Sequence, residues 1–199
     1  MITVGQSKPD PAFDLATLAS EALGFHEVLN KSHSKSAQSI REALAFSGAR
    51  NVPLPNFNDE GDLPVGVYQA SLAEVLERFG ALGAGRLGVG LRLKRIYELA
   101  HTTSHVQRFV IFGSFVTEKE HPNDVDIFLV MDNAFDPALL EREAQRLFDH
   151  VAAQDQFGAS VFWLREVGCL EGEQAAVEYW RVKRGGGLRG IVEIIEENP

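Results

Sequence analysis

The chain has 199 residues, is 45% hydrophobic and carries a formal net charge of −9. That is enough apolar material for one domain with an appendage, and too acidic for an extended nucleic-acid surface built on phosphate neutralisation. No run of eighteen apolar residues and no charged-then-apolar opening is present, which gives the expectation of a cytoplasmic protein with no membrane partner; the single Cys169 and the six histidines offer neither an internal disulfide nor a zinc spacing.

Residues 1–50 read as an N-terminal helical extension. Asp10-Pro11 supplies an N-cap followed by proline at the first helical position, Leu15, Leu18, Ala19, Ala22 and Leu23 carry the helical period, and Gly24 is a stop. A second start, Ser39-x-x-Glu42, precedes Ala43, Leu44 and Phe46, with Gly48 as its stop. The pair suggests a helical hairpin and a candidate partner-binding part. Residues 51–66 hold Pro53, Pro55, Gly61, Pro64 and Gly66 among Asp59, Glu60 and Asp62, the composition of a linker, and the main domain is expected over 67–199.

Within that domain Ser71-x-x-Glu74 opens a short helix carrying Leu72, Val75, Leu76 and Phe79. Gly83, Gly85, Gly88 and Gly90 follow no strand and lead into no βαβ unit, so a dinucleotide-binding loop is the weaker interpretation. From Leu87 to Ala100, Val89, Leu93, Ile96 and Ala100 share one helical face, with Arg92 and Arg95 expected in solvent. Asp136-Pro137 starts a further helix, whose core stripe is expected to be Leu140, Ala144, Leu147, Phe148 and Val151. A strand is expected from Ala159 to Leu164 and a helix from Glu173 to Trp180. Arg181, Lys183 and Arg184 then enter a Gly185-Gly186-Gly187 segment before a last strand, Ile191 to Ile195; an ordinary turn is the expectation for these basic residues, with a triphosphate contact as the alternative.

The most informative segment lies in the middle. Phe109-Val110-Ile111-Phe112 reads as a buried strand closed by Gly113-Ser114, and nine residues later Asp124-Val125-Asp126 heads the apolar run Ile127 to Met131. Alternate residues of a strand share a face, so Asp124 and Asp126 project together. Two such carboxylates repel, and a bound cation relieves the repulsion. Mg2+, or Mn2+ in its place, suits one or two carboxylates with substrate phosphates completing its shell. Gly113 lets a phosphate approach the backbone, Ser114 offers a hydroxyl, and Lys119 is a further candidate phosphate contact. The combination points to metal-assisted phosphoryl or nucleotidyl transfer, with Asp124 and Asp126 as the catalytic and metal-binding pair.

At these residues the chain resembles the nucleotidyltransferase superfamily, the polymerase-beta-like fold, whose hallmark is a hydrophobic strand ending in Gly-Ser and then Asp-x-Asp. The wording Gly113-Ser114-Phe115-Val116-Thr117-x-Lys119 and Pro122-Asn123-Asp124-x-Asp126 looks like an uncharacterised bacterial branch of it. The resemblance spans about residues 63–195. It implies an α/β (α+β) domain with a mixed sheet packed with helices. It also implies binding of a nucleoside triphosphate, ATP among the candidates, with Mg2+, and transfer of the nucleoside monophosphate to a hydroxyl acceptor: a small molecule, a protein or an RNA end. A homo-oligomer is one expected assembly. The superfamily usually adds a third carboxylate from a neighbouring strand. Here the corresponding position is Ser160, with Asp155, Glu166 and Glu193 as alternative acids. Loss of that acid leaves a second reading open, a catalytically degenerate nucleotide-binding or antitoxin-like interaction module.

Overall fold

The computed structural model describes residues 54–81 and 83–196; the expected helical extension over 1–50 lies outside them. Among the described residues, β1 (Val67–Ala70), β2 (Val106–Phe112), β3 (Val125–Met131), β4 (Ala159–Arg165) and β5 (Ile191–Ile194) form one sheet in the order β1-β5-β2-β3-β4. Strand β2 runs antiparallel to both of its neighbours, whereas β1 with β5 and β3 with β4 are parallel pairs. The helices are α1 (Leu72–Val75), α2 (Ala84–His101), α3 (Arg142–Leu147), α4 (His150–Phe157) and α5 (Glu173–Tyr179). This is the mixed sheet packed with helices that the resemblance implied. None of these helices is long and apolar enough to cross a membrane.

Strand alternation sends β2 and β3 residues into two separate apolar layers. Phe109, Ile111, Ile127 and Leu129 join Val89, Leu93, Ile96 and Ala100 of α2, together with Leu147, Ala153 and Phe157 from the α3–α4 side. On the opposite face Val110, Phe128, Val130 and Ile191 meet Val177 of α5, with Trp180 packed against them. The indole centroid lies 4.5 Å from Phe112, 5.1 Å from Phe128 and 4.7 Å from Phe162, so one aromatic cap covers the end of this face.

Several local signals correspond to structure. Ser71 and Glu74 form a reciprocal capping box, with Glu74 N donating to Ser71 Oγ (3.2 Å) and Ser71 N to Glu74 Oε2 (2.8 Å). The stripe on α2 is buried at all four expected positions. The expected helix after Asp136 is instead broken. Asp136 caps a single 3-10 turn, Pro137–Leu139, and Asp149 accepts from Ala152 N to start α4 afresh after α3. That restart resets the helical phase, which leaves Val151 exposed rather than in the core. Strand β1 was not anticipated, because Val67-Tyr68-Gln69-Ala70 is too short to show a period.

In the segment expected as a linker, Leu54 and Phe57 pack on the first apolar layer and Leu63 is fully buried. Gly190 N donates to Leu63 O (2.9 Å) and Ile191 N to Gly66 O (3.0 Å), so this arm lies along the start of β5.

One buried cation fixes the loop after β2. The Arg86 side chain, in the first turn of α2, is 1% exposed. Its Nε donates to Phe79 O (2.7 Å), and its two terminal nitrogens donate to the carbonyls of Lys119 and Phe115. Burial lowers its pKa, but the guanidinium stays charged and every acceptor it holds is a main-chain carbonyl. Arg86→Met keeps the stem and strips these carbonyls of their donors, each a buried polar group left unmet. We expect a loss of about 2–4 kcal/mol, read as a lowered denaturant midpoint at unchanged slope.

Candidate functional site

The site begins where β2 stops. Gly113 adopts φ +75° and opens a 3-10 turn, Gly113–Val116, whose Phe115 and Val116 are buried and root the turn in the core. Asp126 is the register partner of Phe112, so its side chain emerges on the same face beside that turn. An ideal Cβ on Gly113 would lie 2.6 Å from Cγ of Asp126 and would overlap its carboxylate. Glycine is thus required twice over, by the positive φ and by the acid seated against its backbone. The space left by the missing side chain is filled by Asp126 itself.

Asp124 stands one residue ahead of β3, half-buried, and its charge bears on its neighbour. Burial, reinforced by the Asp124 charge, pushes the Asp126 carboxyl up to about 6. Three groups oppose this shift: the positive charges of Arg184 and Arg189, and a hydrogen bond from Ser160. Ser160 is the register partner of Asp126 on β4, and its hydroxyl also lies 3.2 Å from Gln154 Oε1.

The candidate third acids lie elsewhere. Asp155 is exposed on α4. Glu166 accepts from Asn133 Nδ2 (3.1 Å) beyond the far end of β4, where Arg165 pairs with Met131. Glu193 is held by Arg108, with Nη2 to Oε2 at 2.8 Å, and sits opposite Val110, one pleat along from the Phe112–Asp126 row. Among the described residues no three or more His, Cys, Asp or Glu gather as metal ligands. An ion at Asp124 and Asp126 would therefore take its remaining ligands from phosphate oxygens and water. The donor set fits that role, since two carboxylates that repel one another are what a hard cation stabilises.

Ser114 and Lys119 share an open cleft of about 450 Å³ with Asp59, Glu60, Asp62 and Arg189. Lys119 is exposed, while its backbone is tied down by Thr117 Oγ1, which accepts from its N–H (3.2 Å), and by Arg86 at its carbonyl. Of the residues singled out from sequence, Gly113, Asp124 and Asp126 meet at one end of the β2–β3 pair, and Ser114 opens the adjoining cleft where Lys119 stands.

A family model matches residues 55–195. The chain belongs to DUF6932, a family of unknown function. Neither a curated protein nor a solved structure matches it. The matched DUF6932 region contains the whole sheet and every site residue described above.

Two positioning arginines had no sequence signal. Arg86 sits in a glycine-rich run that gave no hint of burial, and Arg92, expected in solvent, donates to Asn123 O (3.2 Å) and Gly158 O (3.5 Å). Arg92 thereby ties together the segments that lead into β3 and β4. Arg95 does lie at the surface, paired with Glu143. Arg189 had a faint signal, its place two residues before the last strand.

The raised Asp126 carboxyl sets a pH dependence. Native Asp126 holds its proton up to about 6 against an ordinary 3.8, so between those values the folded state binds more protons than the unfolded. Stability from this group is therefore lost as pH rises through that window and stays lost above it. We expect Asp126→Asn to raise the unfolding free energy at pH 8 by on the order of 2 kcal/mol and to leave it nearly unchanged at pH 3.5. Denaturant titrations at the two pH values make the comparison.

Proposed function

We propose that this chain binds a nucleoside triphosphate together with Mg2+ and transfers its nucleoside monophosphate to a hydroxyl acceptor. The observation that carries the reading is the Asp126 carboxylate seated against the bare backbone of Gly113, with Asp124 beside it and Ser114 at the mouth of a polar cleft. The same residues carry the resemblance to the nucleotidyltransferase superfamily.

Asp124 and Asp126 would hold the ion, and Mg2+ bound there would supply charge neutralisation for the phosphates and for the negative charge that builds during transfer. Ser114 offers its hydroxyl to the β- and γ-phosphates, and Lys119 adds a cation at the same cleft. In the transfer the acceptor oxygen forms a bond to the α-phosphorus, the bond from that phosphorus to the pyrophosphate oxygen breaks, and the hydroxyl proton passes to water. Ser160 lies opposite Asp126, and by the resemblance it takes the place of the third carboxylate that would accept that proton. Without a general base, transfer forgoes a factor of ~10²–10⁴ that such a group typically contributes.

Ser160 also favours a second reading, in which the chain binds Mg2+-nucleotide without turning it over and acts as a sensor or partner-neutralising module. Pyrophosphate release with candidate acceptors separates the two. Calorimetry with ATP, GTP, CTP and UTP, each with and without Mg2+, addresses the binding they share. Asp124→Asn with Asp126→Asn should abolish the metal-dependent part of the affinity, at least tenfold, while the protein remains folded. Binding that persists unchanged in the double variant sinks both readings.

A further inference from the structure

The nucleotide-binding reading leaves two cations unused, Arg189 in the cleft beside Ser114 and Lys183 paired with two of that cleft's acids. Arg189 lines it, one-fifth exposed; its Nε is buried without a hydrogen-bond partner, and its nearest acid, Asp62 Oδ1, is 3.8 Å from Nη1, beyond hydrogen-bond range. A guanidinium with donors to spare in a partly buried cleft invites an oxyanion, because fork geometry matches phosphate and each unmet donor is costly. Lys183 stands over the same acids, with Nζ 2.6 Å from Glu60 Oε2 and 3.1 Å from Asp62 Oδ2. Both cations belong to the 182–189 hairpin, closed by the Val182–Leu188 bridge and by Gly186 N donating to Lys183 O (2.9 Å). The acids belong to the 58–62 turn, which is fixed to the other wall of the cleft by Glu118 N donating to Gly61 O (2.7 Å).

We propose that Arg189 and Lys183 form the terminal-phosphate subsite for the bound nucleotide, and that Asp62 and Glu60 are internal carboxylates occupying it in the nucleotide's absence. The ligand class is a polyphosphate, and the inference rests on the nucleotide-binding reading above. Placement supports it: Arg189 shares the cleft with Ser114, and its positive charge also bears on Asp126. Phosphate entering beside Ser114 displaces the carboxylates, and the two cations exchange one set of oxygens for another. Each acid therefore opposes binding and each cation favours it, and a nucleoside monophosphate is too short to feel either.

The test is calorimetry on the full chain with Mg2+, using ATP, AMP and inorganic tripolyphosphate as probes. Arg189→Gln and Lys183→Met should each weaken ATP and tripolyphosphate by about tenfold or more and leave AMP unaffected, as loss of a charge-assisted contact implies. Glu60→Gln, at an exposed position, should tighten ATP severalfold, and Asp62→Asn should tighten it further; thermal unfolding verifies that the buried Asp62 variant is folded. The subsite is refuted if ATP binding depends on Asp124 and Asp126 but is indifferent to Arg189 and Lys183, a result that leaves the metal-nucleotide reading standing. Dependence on Arg189 and Lys183 without dependence on Asp124 and Asp126 supports the subsite and removes the metal reading. No binding of ATP or tripolyphosphate by the folded wild-type chain overturns both.

Discussion

The site depends on the Asp126 carboxylate occupying the volume where any other residue at 113 would place its side chain. Phe112–Asp126 register brings the acid to the strand end, and the positive φ of Gly113 turns the chain away from it. The turn then drives Phe115 and Val116 into the core, which fixes the angle at which Ser114 faces the cleft. A carboxylate held this way is half stripped of water and close to a second one, a costly arrangement that a cation and its phosphates would stabilise.

The scaffold around this arrangement consists largely of arginines bonded to main chain. Arg86 gathers the carbonyls of Phe79, Phe115 and Lys119, and Arg92 reaches those of Asn123 and Gly158. Both come from α2, whose apolar stripe is buried in the larger layer, so the core that stabilises the sheet also positions the loops at its end. Gly158 meets a similar demand to Gly113, for it takes φ +59° and an added Cβ would run into the Arg92 guanidinium.

Strong local patterns were legible in the sequence. The Ser71–Glu74 box, the four buried positions of α2 and the two central strands follow from spacing and alternation, which act over a few residues, whereas the place of Ser160 opposite Asp126 was implied by the family resemblance. What escaped was set by distant contacts. Val67–Ala70 becomes a strand because β5 offers it a parallel edge, and Val151 turns outward because Asp149 restarts the helix. Composition marked residues 51–66 as a linker, yet burial of Leu63 and the bonds to Gly190 and Ile191 depend on sequence more than a hundred residues away. Of the candidate site, Gly113, Ser114, Asp124 and Asp126 were legible; Arg189 and Asp62 come beside Ser114 only because the arm and the 182–189 hairpin fold over the same cleft.

The central claim is that Asp124, Asp126 and the Gly113–Ser114 turn together receive a metal-bound polyphosphate. Crystals of the full chain grown with Mn2+ and a non-hydrolysable nucleoside triphosphate test it most directly, since the anomalous signal of manganese locates the ion independently of the nucleotide. The account predicts one Mn2+ ligated by both Asp124 and Asp126, with phosphate oxygens completing its shell and reaching Ser114. Manganese bound away from this pair, or a nucleotide whose phosphates lie outside the Ser114 cleft, would contradict it.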